Sequence, residues 1–159
     1  MPIGTKSSKI NISKEIDTKL ISKIISNHLV NGDIVFLYGE IGVGKTTFAR
    51  LLINQCETEN NLKKSEVLSP TFNIVFEYKI KDFTVKHYDL YRLKNEVDIK
   101  NIGLFENSDR SIILIEWPEL IKKKPLNRID LFFEYSEDMN KRSLNIKTSG
   151  RLKSYEFKL

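Results

Sequence analysis

Gly39-Glu40-Ile41-Gly42-Val43-Gly44-Lys45-Thr46 carries the spacing G-x-x-x-x-G-K-[ST], and its reading decides the fold. Each fixed position in this pattern has a physical task. Gly39 and Gly44 permit backbone dihedrals that a Cβ would forbid. Successive N–H groups can then turn inward and cradle anionic phosphate oxygens. Lys45 is expected to reach the β- and γ-phosphates as a point charge, and the Thr46 hydroxyl to ligate Mg²⁺. A helix starting here would aim its positive end at the same phosphates. With the second threonine, Thr47, the whole stretch Gly39, Glu40, Ile41, Gly42, Val43, Gly44, Lys45, Thr46, Thr47 becomes the candidate nucleotide-binding loop.

The flanks agree with that reading. Ile34-Val35-Phe36-Leu37-Tyr38 is a continuous apolar run ending just before Gly39. Such a run suits a parallel strand buried on both faces. Thr46-Thr47-Phe48-Ala49-Arg50-Leu51-Leu52-Ile53 follows with apolar residues at helical spacing. Strand, Gly-rich loop and helix in this order form the P-loop unit.

At 159 residues the chain is expected to form a single P-loop NTPase domain, 1–159, with a real core. Hydrophobic residues make up 40% and charged residues 30%, a soluble globular balance. No apolar run is long enough to span a bilayer, and no signal-peptide segment opens the chain. Cys56 is the one cysteine, which excludes an internal disulfide framework and a cysteine-based zinc site. It is expected to pack near the end of the P-loop helix. These features point to the cytoplasm. The net charge of +5 permits contact with RNA without demonstrating it.

Before the loop, Lys9-Ile10-Asn11-Ile12 reads as a short strand and Ser13 as the N-cap of a helix. Ile16, Leu20, Ile21, Ile24, Ile25 and Leu29 form that helix's apolar stripe, and Asn31-Gly32 is its expected stop. His28 reads as structural. Beyond the P-loop helix, residues 54–68 read as a polar surface connection.

Ser69-Pro70-Thr71-Phe72 opens an alternating series, Phe72, Ile74, Phe76, Tyr78, Ile80. Lys81-Asp82 interrupts it, and Phe83, Val85, His87 and Asp89 resume it. This is a hairpin pattern. Counting outward pairs Ile80 with Phe83, Tyr78 with Val85 and Phe76 with His87. His87 and Asp89 then share the apolar face. His87 reads as a hydrogen-bonded core histidine before it reads as a general base. A core-facing carboxylate needs a partner or a metal. Asp89 therefore has two open readings: an ion pair with Arg92, or a Mg²⁺ ligand.

Residues 94–111 are polar, with a short helix expected and Leu104 and Phe105 docking on the sheet. Ile112-Ile113-Leu114-Ile115-Glu116-Trp117-Pro118-Glu119 is an apolar strand ending in an acid. This is the Walker B pattern, whose acid emerges beside the phosphates and binds Mg²⁺ or polarises water. Trp117 reads either as a partner or ligand contact or as a plug at the sheet edge. Lys122-Lys123-Lys124 reads as a solvated face. Ile129–Tyr135 and Ser143–Lys147 read as an antiparallel pair, and Tyr155-Glu156-Phe157 as a last short strand. The expected fold class is α/β: a P-loop NTPase with a central, mostly parallel sheet, added antiparallel strands and helices on both faces.

Taken together, Gly39–Thr47, Ser69-Pro70-Thr71-Phe72, His87-Tyr88-Asp89-Leu90-Tyr91-Arg92-Leu93 and Ile115-Glu116-Trp117-Pro118-Glu119 resemble the motif set of the TsaE family. This is the ATPase subunit of bacterial tRNA threonylcarbamoyladenosine (t6A) biosynthesis. The resemblance covers about residues 10 to 135. It implies ATP and Mg²⁺ as cofactors. The implied partners are the two other subunits of the threonylcarbamoyl transferase complex, with tRNA engaged indirectly and no membrane. It implies that Asp89 is the Mg²⁺-binding acid, that Glu116 and Trp117 are catalytically important, and that Thr71 contacts the γ-phosphate or metal from a switch-like segment. With the motif chemistry above, the candidate catalytic residues are Glu116, Lys45 and Trp117 and the candidate metal ligands Thr46, Asp89 and Glu116. Val43 and Ile41 stand where the family often has Ala and Leu.

Two other functions fit a bare P-loop. A small-molecule or nucleoside kinase would need an acceptor pocket and usually an Arg-bearing lid. Only Arg128, Arg142 and Arg151 follow Glu116. A non-hydrolysing, nucleotide-dependent binding module would not need Glu116.

Overall fold

A computed structural model describes residues 9–154. The strands are β1 (Ile10–Asn11), β2 (Ile34–Tyr38), β3 (Val75–Ile80), β4 (Phe83–Asp89), β5 (Ser111–Glu116), β6 (Arg128–Tyr135) and β7 (Arg142–Ser149). The α-helices are α1 (Glu15–Ser26), α2 (Lys45–Glu59) and α3 (Glu96–Asn101). All seven strands form one sheet in the order β1-β7-β6-β2-β5-β4-β3. The centre is parallel: β2 pairs with β5 and β6, and β5 with β4. The margins β3, β7 and β1 are antiparallel. This is the α/β P-loop NTPase architecture expected from the sequence.

The continuous apolar character of β2 has a direct cause. Val35 and Leu37 face one core with Phe48, Leu52, Ile25 and Leu131. Ile34 and Phe36 face a second core with Ile113, Ile115, Leu90 and Leu104. Helices α1 and α2 cover the first face. Leu104 and Ile121 help cover the second, as the docking of Leu104 required. Side chains with no accessible surface, such as Phe36 and Leu37, each stabilise the fold by roughly 1.5–3 kcal/mol through burial.

The hairpin register is the counted one: Ile80 opposite Phe83, Tyr78 opposite Val85, Phe76 opposite His87. The C-terminal antiparallel pair also forms. The strand expected at Tyr155–Phe157 lies outside the described residues.

Four local readings need correction. Ser13 does not cap α1. Lys14 occupies the N-cap position without a side-chain bond, while the Ser13 hydroxyl accepts from the Arg142 N–H at 3.0 Å. The helix ends at Ser26, well before Asn31-Gly32, and His28 and Leu29 continue it as tight i→i−3 turns. Of its apolar stripe, Ile21 and Ile25 are buried but Ile16 and Leu20 are exposed. The small residues Thr18 and Ser22 occupy the buried face instead, allowing close approach to α2. Residues 54–68 are also more ordered than a polar connection. Helix α2 runs on to Glu59. Its buried Glu57 carboxylate accepts from Asn54 and from the Ser65 N–H and hydroxyl, folding the following chain back on the helix.

Candidate nucleotide site

The P-loop joins the C-terminal end of β2 to the N-terminus of α2, so the loop and the first turn of α2 meet at the C-terminal end of the central parallel strands. This is where open α/β sheets bind ligands. Gly39, Gly42 and Gly44 take φ of +145°, +78° and +121°. At Gly39 there is a second reason for glycine: a Cβ would stand 2.7 Å from the Phe133 carbonyl oxygen on β6.

A cavity of about 310 Å³ opens beside the loop. Its wall includes Ile41, Gly42, Gly44, Lys45, Thr46 and Thr47 from the loop and helix. The rest comes from Ser69, Thr71, Asp89, Tyr91, Glu116 and Trp117. Gly39, Glu40 and Val43 do not line it. Val43 turns its side chain into the core and its N–H to the Glu40 carbonyl at 3.3 Å, so its amide serves the loop's own turn.

Parallel pairing of β4 with β5 sets Asp89 opposite Glu116 at the strand ends. The Thr46 hydroxyl donates to Glu116 Oε1 at 2.8 Å. His87 Nε2 donates to the same oxygen, also at 2.8 Å. Asp89 accepts from the Thr71 hydroxyl at 2.9 Å and from the Tyr91 N–H at 2.9 Å. The ion-pair reading of Asp89 is not realised: Arg92 donates to the Phe72 carbonyl and lies over the Phe72 ring instead. Asp89 is a cleft residue, tied to the segment Ser69–Phe72.

Lys45 is buried. Its ammonium donates to the Gly39 and Glu40 carbonyls and sits 4.1 Å from the centre of the Trp117 ring. Burial pushes its pKa below the ordinary lysine value, with Glu116, Glu119, Asp89 and Glu40 opposing the shift. Trp117 reaches this position from a left-handed backbone, φ +58°. Its ring centre lies 4.9 Å from that of Tyr91. Trp117 therefore faces the cleft. Lys122–Lys124 is exposed and takes no part: Lys122 pairs with Glu96, and Lys124 lies over Tyr38.

The donors that converge here are hard oxygens: one hydroxyl and two carboxylates. Among the described residues no group of three or more His, Cys, Asp or Glu is placed to hold a metal ion. A hydroxyl with two carboxylates instead suits Mg²⁺, which binds through one or two carboxylates and completes its shell with phosphates and water. Thr46, Glu116 and Asp89 are the residues that could hold it.

A family model described as "Threonylcarbamoyl adenosine biosynthesis protein TsaE" matches residues 12–144. The chain belongs to the TsaE family. The TsaE protein of Rickettsia conorii is 39% identical over 93% of this chain and 82% of its own length. The TsaE protein of Bacillus subtilis is 32% identical over 77% of this chain and 74% of its own. Among solved structures, Bacillus subtilis YdiB superposes with a TM-score of 0.70 at 26% identity, covering 90% of this chain and 86% of that one. Membership agrees with the four motifs, which the fold gathers around one cleft. No helix among the described residues is long and apolar enough to cross a membrane.

His87 is the hydrogen-bonded core histidine expected from the sequence, fully buried with Nε2 on Glu116; the identity of its partner was not legible, because β4 and β5 meet only in the folded sheet. Tyr91, which lines the cavity beside Trp117, had no assigned role in the sequence pattern.

Proposed function

We propose that this chain is a Mg²⁺-dependent ATPase that supports t6A formation at position 37 of tRNA. In this reading it works on the two other subunits of the threonylcarbamoyl transferase complex in the cytoplasm and meets tRNA only through them. The supporting observation is the shared oxygen Glu116 Oε1, held by Thr46 of the loop helix and His87 of β4. That contact joins the Walker A threonine to the Walker B acid within the cleft.

The residues divide the work as follows. The N–H groups of the loop and of the first turn of α2 hold phosphate oxygens. Lys45 exchanges its carbonyl partners for phosphate. Thr46 and Asp89 hold Mg²⁺, which when bound neutralises developing charge on the phosphates. Glu116 orients water, or accepts its proton, at its free Oε2. Thr71 reports the state of Asp89 to the segment Ser69–Phe72. Trp117 covers Lys45 and limits water around it. The chemistry is positioning and electrostatics, with no covalent intermediate.

Phosphate release from Mg-ATP, measured with and without the two partner subunits, tests this function. Slow release by the chain alone, faster release in the complex and loss of both in Glu116→Gln are expected. Fast release indifferent to the partners would count against it. Transfer of the γ-phosphate to a small metabolite would favour a kinase. Full t6A formation by Glu116→Gln would favour a non-hydrolysing module.

A further inference from the structure

The β3–β4 ladder outlasts β3 by one residue. Val75 stands opposite Tyr88, and next the Asp89 N–H donates to the Ile74 carbonyl at 2.9 Å. There the chain turns over. Ile74 takes φ +68°, and its N–H donates to the Pro70 carbonyl at 2.7 Å, closing an α-turn over residues 70–74. Thr71 lies inside that turn, with its hydroxyl on Asp89 Oδ2 at 2.9 Å. One turn thus grips Asp89 twice, at its backbone through Ile74 and at its carboxylate through Thr71.

The turn is anchored at both ends. Pro70 is buried, Ile74 packs against the second core, and Phe72 and Asn73 between them are exposed. Yet Ile74 disfavours the backbone it holds. The left-handed region crowds the Cβ of any L-residue, and a branched Cβ most. Glycine takes the same conformation without that cost. Isoleucine prefers extended backbone, which at this position would carry Thr71 away from Asp89. Bonds and packing therefore hold the turn closed against the preference of its own residue.

We infer that Ile74 is a positioning residue for Asp89. Its left-handed backbone folds Thr71 onto the carboxylate, and the cost of that backbone keeps the contact easy to surrender when Asp89 turns to a metal. This role deepens the ATPase reading, in which Asp89 holds Mg²⁺, and rests on it. The Thr71 hydroxyl and the metal compete for Oδ2, and residue 74 sets the balance between them. Oδ1 is occupied separately, by the Tyr91 N–H.

Ile74→Ala and Ile74→Gly both lose the apolar side chain and differ in the cost of the left-handed backbone. Ile74 is only half-buried, so both variants should fold. In ordinary strand or helix backbone glycine is the less stable of the two. Here Ile74→Gly should unfold in urea, without metal or nucleotide, with an equilibrium constant about threefold below that of Ile74→Ala. Its Asp89 amide should also exchange more slowly, because the turn stays closed longer. Calorimetric titration of ADP at stepped Mg²⁺ concentrations should give a half-saturating Mg²⁺ severalfold higher for Ile74→Gly than for Ile74→Ala. Metal-free ADP should bind both equally. Adding Thr71→Val to each should abolish the difference in Mg²⁺, which a purely structural role of residue 74 would leave in place. An unfolded Ile74→Ala beside a folded Ile74→Gly would show the expected stability order in its extreme form, and the Mg²⁺ comparison then runs between Ile74→Gly and the wild type. Ile74→Gly no more stable than Ile74→Ala would overturn the inference, as would equal Mg²⁺ dependence in the two. Wild-type protein whose ADP binding ignores Mg²⁺ would overturn the metal reading of Asp89 and the competition with it, while the stability order would still decide whether residue 74 holds the turn.

Discussion

His87 Nε2 lies 2.8 Å from Glu116 Oε1, and the two side chains expose 0% and 4% of their surface. A carboxylate only accepts hydrogen bonds, so the imidazole donates. The Thr46 hydroxyl occupies the same oxygen. Glu116 is thereby held from both sides through Oε1 at the wall of the cleft. His87→Leu removes one of these restraints and leaves a buried carboxylate short of a donor. Turnover should fall about tenfold, the equivalent of one hydrogen bond to a charged group. Nucleotide affinity should stay within about twofold, because His87 does not line the cavity. Steady-state kinetics beside nucleotide titration separate the two. His87→Gln, which can still donate, should recover part of the turnover. Equal losses of affinity and turnover would mean a collapsed cleft and not a misplaced acid.

Asp89 should govern metal dependence. Both its oxygens are engaged, by the Thr71 hydroxyl and by the Tyr91 N–H. Asp89→Asn keeps the size and the bond from Tyr91 but removes the charge. The Mg²⁺ concentration giving half-maximal ATPase activity should rise at least about tenfold, the usual scale for losing a charged metal contact. Metal-free ADP should bind as before. Thr71→Val should act the other way by freeing one Asp89 oxygen, lowering the Mg²⁺ requirement modestly.

Much of this arrangement could be read from local sequence. The P-loop, the buried strand before it and the acid after Ile112–Ile115 are contiguous signals with few alternative meanings. The β3–β4 register followed from alternation around a two-residue break, because a one-residue slip would have turned Val85 and His87 outward. What stayed hidden depends on contacts between distant segments. His87 meets Glu116 only because β4 lies parallel to β5. The true length of α2 was hidden by the polar residues Glu57-Thr58-Glu59, since a solvent-facing helix end and a loop share a composition. Ile74 could not have been anticipated either. It holds φ +68°, strained for a β-branched residue, and its carbonyl accepts from the Asp89 N–H at 2.9 Å.

Gly39 should be the least replaceable glycine of the loop for stability. An added Cβ meets the Phe133 carbonyl at 2.7 Å and the Val43 side chain at 2.8 Å, with φ already at +145°. Backbone on β6 cannot move without disturbing its pairing to β2. Gly39→Ala should cost about 2–4 kcal/mol, combining dihedral strain with overpacking. Gly42→Ala has its nearest neighbour at 3.4 Å and carries the dihedral cost alone, roughly 1–2 kcal/mol. Urea unfolding of the two variants without nucleotide checks the order. A Gly42 variant less stable than the Gly39 variant would contradict the packing described here.

Alkaline pH should unfold the chain through Cys56 before its surface groups matter. Burial, reinforced by Glu59 and Glu57, pushes the Cys56 thiol from an ordinary value of 9.0 up to about 12. The folded state therefore keeps a proton that the unfolded chain releases above pH 9. Below that point the thiol's contribution to stability is fully present. Between pH 9 and about 12 it is lost as pH rises, because the unfolded state binds fewer protons there. The limiting slope for one such group is about 1.4 kcal/mol per pH unit. Tyr38, raised to about 12 chiefly by burial, changes stability in the same direction from its ordinary value of 10.0. Cys56→Ala isolates the thiol. Its stability at pH 7.5 should fall by about 1 kcal/mol for the lost volume. Its decline between pH 9 and 10.5 should be shallower than that of the wild type, so that the two curves converge. Parallel curves over that interval in urea titrations would show that the thiol ionises no differently in the folded and unfolded chains, and that Cys56 is not sealed in the core beneath α2.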